Sequence, residues 1–114
     1  MKDNKHDLPF QEPTFYILLS LRGSEKHGYA MLKDVSQLSG GRVKLSTGTL
    51  YGALYRLLDQ GYIEQVEMEN GVRRKKAYRL TPAGLSVFSA EVDRIKHILH
   101  AVKEQSLSQR GQQI

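Results

Sequence analysis

Arg73, Arg74, Lys75 and Lys76 form an uninterrupted run of cations, and they are the side chains of this sequence best suited to a chemical task. Guanidinium and ammonium groups bind phosphate oxygens, and each phosphate that they neutralise strengthens the binding of a nucleic acid. Such contacts supply affinity and positioning rather than sequence specificity. The run predicts phosphate contact, and the alternative is that it is only the solvated face of a strand.

The sequence around the cations gives them a defined place. Asn70-Gly71 precedes them and is a strong signal for a tight hairpin turn, so strands are expected at 62–68 and 72–80. Thr81-Pro82 then begins a helix, with threonine as the N-cap and proline at the first helical position. A compact cationic hairpin that leads into a helix is what a winged DNA-binding domain needs on its phosphate side.

The composition is that of one globular domain with a basic surface. The chain has 114 residues, a formal net charge of +5, 39% hydrophobic residues and no cysteine. The charge favours an anionic partner, with nucleic acid the leading candidate, although an inert basic surface is the alternative. The absence of cysteine excludes disulfides, thiolate zinc sites and cysteine catalysis. The apolar run at 16–19 is too short to span a bilayer, and the polar segment 1–7 lacks the middle of a signal peptide, so a cytoplasmic location is expected.

Three helices are expected before the hairpin. Apolar periodicity predicts a short buried helix over 14–22 and an amphipathic helix over 27–38, followed by a short strand at 43–45. The third helix begins at a cap, Ser46 or Thr47, and ends at Gly61. Its core stripe repeats at helical spacing. That stripe consists of Leu50, Ala53, Leu54, Leu57 and Leu58.

The outward face of the third helix is the second candidate for chemistry. Gly48 and Gly52 lie there with Tyr55, and each glycine costs a helix about 1 kcal/mol relative to alanine. Close approach to a DNA backbone or base edge would compensate for that cost, because glycine has no side chain to obstruct it. The alternative is that Gly48 eases the first turn and the tyrosines cover a groove between helices. The flanking side chains that can contact bases or phosphates are Thr49, Tyr51 and Arg56.

The last helix is expected from Pro82 to about Gln105. Its apolar residues recur at alternating steps of three and four, which is the seam of a coiled coil and predicts pairing with a second copy of the chain. A twofold dimer would present two recognition helices to an inverted-repeat operator. The alternative is that the seam packs on its own domain. The seam residues are Leu85, Phe88, Val92, Ile95, Leu99 and Val102.

The order of elements predicts the fold class: mainly α with a small β-hairpin wing, that is, a winged helix-turn-helix with a long C-terminal dimerisation helix. The expected organisation is a flexible arm at 1–11, the DNA-binding domain at 12–81, the dimerisation helix at 82–106 and a disordered tail at 107–114. His97 and His100 have metal-ligand spacing, but no third ligand is evident, so neither a metal nor a cofactor is expected. No nucleophile–base pair appears, so the chain is not expected to be an enzyme.

Four short motifs resemble the PadR family of bacterial transcriptional regulators. They are His-Gly-Tyr at 27–29, Thr-Gly-Thr-Leu-Tyr at 47–51, Arg-Arg-Lys-Lys-Ala-Tyr-Arg-Leu-Thr at 73–81 and Ala-Gly at 83–84. The resemblance covers residues 10–100 and implies a winged-helix dimer that represses transcription and is released by a small molecule. It also implies the short subclass, which has a single C-terminal dimerisation helix.

The resemblance assigns DNA-contact roles to Tyr29 and Lys33 on the second helix. It gives the same role to a larger set on the third helix and in the wing. That set consists of Ser46, Thr49, Tyr51, Arg56, Arg73, Arg74, Lys75 and Lys76. The chain departs from the family pattern at Gly52, where many members have proline, and at Ala77, where many have an aromatic residue. The competing interpretation is a winged helix that binds protein and makes no specific DNA contact.

Overall fold

The computed structural model describes the backbone of residues 8–70 and 73–112 and the side chains of residues 8–67 and 76–108. It is mainly helical, with one three-stranded antiparallel sheet in the order β1-β3-β2, and it confirms the predicted fold class. The elements in chain order are α1 (Glu12–Ser20), β1 (Lys26–His27), α2 (Gly28–Leu38), α3 (Thr47–Gln60), β2 (Ile63–Asn70), β3 (Arg73–Leu80) and α4 (Pro82–Gln112).

Helix α3 has the caps that its sequence predicts. The Ser46 hydroxyl accepts a hydrogen bond of 3.1 Å from the backbone N–H of Thr49, which satisfies one of the free donors of the first turn. Gly61 ends the helix in the left-handed conformation, with φ of 78°. Leu50 and Leu54 are fully buried between these ends. The cap, the core stripe and the stop therefore agree on one helix, and its opposite face is left for solvent or a ligand.

One hydrophobic core joins all four helices to the base of the hairpin. Phe15 of α1 stacks on Phe88 of α4 with ring centroids 5.1 Å apart, which fixes the first turns of α4 against α1. The buried apolar residues of this core include Ile17, Leu18, Met31, Val35, Leu50, Leu54, Leu57, Tyr62, Ile63, Tyr78, Val87 and Phe88.

The strand predicted at 43–45 is wrong. The backbone N–H of Val43 donates to the Ser39 hydroxyl at 2.9 Å instead of to a neighbouring strand. The third strand of the sheet is β1, in which Lys26 pairs with Tyr78 and His27 pairs with Ala77. Two residues are too few to show the alternation by which a strand is recognised in sequence. The second helix accordingly begins at Gly28, one position later than predicted.

The hairpin has the predicted order, with register from Ile63 opposite Leu80 to Asn70 opposite Arg73. This register leaves two positions between the paired strands. The predicted Asn70-Gly71 turn cannot be compared in detail, because Gly71 lies outside the described residues. Helix α1 is displaced from its prediction, since it runs from Glu12 to Ser20 and Leu21 already belongs to a turn.

The N-terminal segment is not a loose arm over its described part, residues 8–11. Leu8 and Phe10 pack against the core, because burial of two apolar side chains offsets the loss of chain freedom. The backbone N–H of Phe10 donates to Oε2 of Glu91 at 2.8 Å. Residues 1–7 of the predicted arm lie outside the described residues.

Helix α4 continues to Gln112, beyond the predicted end at Gln105. The tail predicted as disordered from 107 onward is therefore helical as far as 112. Leu107, Gln109, Arg110 and Gln112 are residue types that favour a helix, and no proline interrupts this stretch. None of the helices in the described part of the chain combines the length and apolar character needed to cross a membrane.

A group of contacts joins the end of α3 to the beginning of α4. The Thr81 hydroxyl donates to the carbonyl of Gly61 at 2.6 Å and accepts from the N–H of Gly84 at 3.0 Å, so it also caps α4 as predicted. The N–H of Thr81 donates to the carbonyl of Tyr62 at 3.1 Å. A Cβ on Gly84 would lie 1.8 Å from that same oxygen, so only glycine fits there. We call these four residues the clasp.

Candidate nucleic-acid interface

A cavity of about 450 Å³ opens where α2, α3 and β3 meet. It brings together three of the predicted contact residues, Tyr29 from α2, Tyr51 from α3 and Lys76 from β3. The remaining lining residues are His27, Gly28 and Ala30. We call this cavity the front groove. Two phenols and an ammonium group on three different elements are suited to phosphate and sugar contacts.

Tyr51 is held in the front groove by its contact with Gly28. A Cβ at position 28 would lie 2.7 Å from the Tyr51 hydroxyl oxygen, so glycine makes the space that this hydroxyl occupies. The Tyr51 ring is half-buried and packs against the core. The Tyr51 ring thus packs on its own domain, while the residue also lines the groove through its hydroxyl end.

Two other tyrosines are the most exposed aromatic side chains in the described part of the chain. Tyr29 is 75% exposed and Tyr55 is 66% exposed. Burial raises the pKa of Tyr78, and the neighbouring Tyr51 and Tyr55 raise it further. Helical spacing places Tyr55 on the outward face of α3, outside the set of predicted contact residues. Its exposure and its closeness to Tyr51 and Tyr78 make it a further candidate.

Ser46 and Thr49 are exposed at the N-terminus of α3 and hydrogen-bond to each other. The Ser46 hydroxyl donates to Oγ1 of Thr49 at 2.9 Å while it accepts the capping bond from the Thr49 N–H. The Thr49 hydroxyl proton is still available to an external acceptor such as a phosphate. Lys33 is exposed on α2, one helical turn after Tyr29 and on the same face.

The two glycines on the outer face of α3 have open space before them. No atom lies within 4 Å of a Cβ built on Gly48, and a Cβ on Gly52 would meet only Nη1 of Arg56 at 3.7 Å. Nothing within the described chain therefore requires glycine at position 48. That observation favours an external surface that approaches the α3 backbone.

Arg56 is exposed but lies apart from the front groove. It lines a separate cavity of about 410 Å³ together with Pro9, Phe10 and Gln11 of the N-terminal segment. The structure thus does not bring Arg56 together with Tyr29, Tyr51 and Lys76. The position of Arg56 in the sequence does not indicate this, because no local pattern links residues 8–11 to α3.

The four consecutive cations of the wing belong to strand β3. Lys76 is exposed and its backbone carbonyl lies 3.1 Å from Nδ1 of His27. Arg73, Arg74 and Lys75 belong to the backbone of β3, but their side chains lie outside the described residues. Arg79, two residues beyond Ala77 on the same strand, forms an ion pair of 2.6 Å with Glu64.

The predicted seam on α4 divides into two parts. Phe88 is buried and Val92 is half-buried against the core of their own chain, so Phe88 is not free for a partner and its assignment to the seam is corrected. The reason is that the first turns of α4 pack on the core through Val87, Phe88 and Glu91. Among the described side chains, the large apolar residues left exposed on α4 are Leu85, Ile95, Ile98, Leu99, Val102 and Leu107.

Comparisons with known proteins agree with this geometry. The sequence profile of the Transcriptional regulator PadR-like family matches residues 17–90. The chain is 34% identical over 91 residues to an uncharacterised 37.1 kDa protein in transposon TN4556 of Streptomyces fradiae; the match covers 80% of the chain but only 25% of that relative.

Two solved structures illustrate the likeness of the fold. Bacillus subtilis PadR in complex with operator DNA is 25% identical, with a TM-score of 0.64, and the match covers 72% of this chain and 47% of that one. A PadR family transcription regulator from Clostridium difficile is 23% identical, with a TM-score of 0.71 and coverage of 85% and 99%. The profile match spans more than half of the sequence, and the chain therefore belongs to the PadR-like family of transcriptional regulators.

Proposed function

We propose that this chain is a dimeric, sequence-specific DNA-binding repressor that acts in the cytoplasm and is released from DNA by a small molecule. The observation that carries the proposal is the convergence of Tyr29, Tyr51 and Lys76 from three elements on one groove. The relative crystallised with operator DNA has the same fold, which supports a DNA partner for this chain.

The proposed contacts divide by role. The outer face of α3, with Gly48 and Thr49 at its N-terminal end, enters the major groove, where base edges can be distinguished. Tyr29 and Lys33 of α2 and the cations of the wing bind the flanking phosphates. In this proposal the DNA-binding domain comprises residues 12–81 and the dimerisation helix comprises residues 82–106.

The exposed apolar residues of α4 support a dimer. Ile95, Leu99 and Val102 are each 41–53% exposed and recur at seam spacing beyond the part of the helix that packs on its own core. A twofold pairing of these helices would bury that row and place two α3 helices on one face. The operator would then be an inverted repeat.

Release by an effector requires a ligand with different affinities for two states of the dimer. We place that ligand between the paired α4 helices or at their junction with the DNA-binding domains, because a change there would alter the spacing of the two α3 helices. If a panel of phenolic, drug-like and metal ligands left DNA affinity unchanged, the effector part of the proposal would be wrong.

Selection of bound duplexes from a random pool tests the DNA-binding proposal directly. We expect the recovered sites to share an inverted repeat and to bind at least about 10³-fold more tightly than random sequence. The double variant Arg73→Ala, Arg74→Ala should weaken all duplexes about equally and flatten the salt dependence of binding. A chain that recovered no common site would instead be the protein-binding winged helix.

A further inference from the structure

The two strands of the wing carry opposite charges in register. Strand β3 has five cations and β2 has three carboxylates, so the described strands have a formal net charge of only +2. Each of the three glutamate positions is paired in register with a cationic residue across the antiparallel pair. The three opposed pairs are Glu64–Arg79, Glu67–Lys76 and Glu69–Arg74.

One of these pairs shows what the register produces. The Nε–H of Arg79 donates to Oε1 of Glu64 at 2.6 Å, although both side chains are about half exposed to solvent. The hydrogen bond that Arg79 donates to the Glu64 carboxylate raises the pKa of Arg79 above its ordinary value. Directly opposite residues on a sheet have Cβ atoms about 4.5–5.5 Å apart, so the Glu67 carboxylate is also close enough to Lys76 to lower the local positive potential.

Two cations have no carboxylate opposite them. Arg73 is opposite Asn70 and Lys75 is opposite Met68. The register thus pairs three cationic positions of β3 with a glutamate position of β2 and the other two with an uncharged residue. A cation beside a carboxylate must exchange that partner for a phosphate, and the displaced carboxylate then repels the duplex.

We propose that Glu64, Glu67 and Glu69 are internal counter-ions of the wing, which limit how many DNA phosphates it neutralises and so set the affinity of the chain for every duplex. The inference depends on the proposed DNA binding and adds a group of residues that oppose it. The carboxylates lower affinity without contacting a base, so their effect is independent of DNA sequence.

The test measures the affinity of the full chain for two labelled duplexes, the selected operator and a random sequence, at several salt concentrations. The variants are Glu67→Gln and Glu69→Gln, singly and together, because glutamine keeps the shape and removes the charge. Affinity for both duplexes should rise between about twofold and about tenfold per carboxylate, and the slope of log affinity against log salt should steepen by up to about 0.9.

Glu104→Gln is the matched control, since Glu104 is an exposed carboxylate on α4 that is outside the wing. It should change affinity much less than Glu67→Gln does. Equal gains from the two variants would show a general charge effect and would overturn the inference, as would unchanged or weaker binding by the wing variants with unchanged thermal unfolding. Wild-type protein that bound neither duplex would refute the proposed function itself.

Discussion

The backbone N–H of Phe10 donates a hydrogen bond of 2.8 Å to Oε2 of Glu91, a residue 81 positions later in the sequence. Glu91 is 1% exposed, and its carboxylate also accepts hydrogen bonds from Nε and Nη2 of Arg94. This buried carboxylate therefore has partners on two sides, and it attaches the N-terminal segment to α4.

Replacement of Glu91 should destabilise the fold. Glu91→Ala leaves the Phe10 N–H without its acceptor and Arg94 without its partner, and we expect a loss of about 1–3 kcal/mol in the free energy of unfolding by urea. Glu91→Gln keeps an acceptor and should lose less. Glu104→Ala, on the exposed surface, should change stability by less than about 0.5 kcal/mol. Equal effects at positions 91 and 104 would contradict this role.

Acid should remove the contribution of the ionised Glu91 carboxylate to the free energy of unfolding. The hydrogen bonds from Arg94, and then that from the Phe10 N–H, hold the pKa of Glu91 below its ordinary value. The folded state therefore binds this proton less readily than the unfolded state. The contribution is fully present above the ordinary glutamate pKa of about 4.3 and is lost as the pH falls through the lower folded-state pKa. Urea unfolding across acidic pH should show a shallower decline for Glu91→Gln than for the wild type.

Replacement by alanine should have opposite effects on stability at Gly84 and at Gly48. Gly84→Ala places a Cβ 1.8 Å from the Tyr62 carbonyl oxygen, so α4 must shift and the loss of stability should reach at least about 3 kcal/mol. Gly48→Ala meets open space in a helix and should stabilise by up to about 1 kcal/mol. Gly48→Ala should nevertheless reduce operator affinity about tenfold, or about 1.4 kcal/mol, if DNA approaches the α3 backbone. Undiminished affinity would mean that no such approach occurs.

The contact between Gly28 and Tyr51 should be visible as coupling between two variants. Gly28→Ala forces the Tyr51 hydroxyl, 2.7 Å away, out of the front groove and should weaken operator binding without unfolding the chain. In a Tyr51→Phe background the closest atom is absent, so the same substitution should have a smaller effect. We expect a coupling energy of about 0.5 kcal/mol or more from the double-mutant cycle in operator binding. Strict additivity would indicate that the two positions act separately.

A charged residue introduced into the exposed apolar row of α4, which consists of Ile95, Leu99 and Val102, should dissociate the proposed dimer. Ile95→Asp would bury an unpaired carboxylate between the helices, so sedimentation equilibrium should find monomers where the wild type forms dimers. Ala90→Asp is the control, because Ala90 is exposed on a different face of the same helix. A monomeric wild type would contradict the dimer before any variant is made.

Local sequence signals were enough to predict the ends of α3, the beginning of α4 and the order of the hairpin. Ser46 and Gly61 mark the ends of α3, and Thr81 marks the beginning of α4, because caps and stops depend on a few neighbouring residues. The hairpin order followed from alternation and an Asn-Gly pair. The outward direction of Gly48 and Tyr55 followed from helical spacing alone.

Contacts between segments that are remote in sequence could not be predicted from such local signals. The contact between Phe10 and Glu91 joins segments that are remote in sequence, and no local pattern distinguishes Glu91 from a solvated glutamate. Phe88 fits a heptad seam, yet it lies against Phe15, because the beginning of α4 packs on its own domain. The β1 strand is defined by its partner β3 and not by its own two residues.

The clasp has a mechanical consequence. It joins the C-terminal end of α3 to the N-terminal end of α4 through three hydrogen bonds. A close contact between Gly84 and the Tyr62 carbonyl, which leaves no space for a side chain at position 84, adds to them. Helix α4 has 31 residues, so at 1.5 Å per residue it extends about 46 Å from that joint. Because the clasp joins the two helices rigidly, a tilt of a few degrees at the far end of α4 would move α3 with it. The proposed DNA-binding surface would then be displaced without any bending inside the domain.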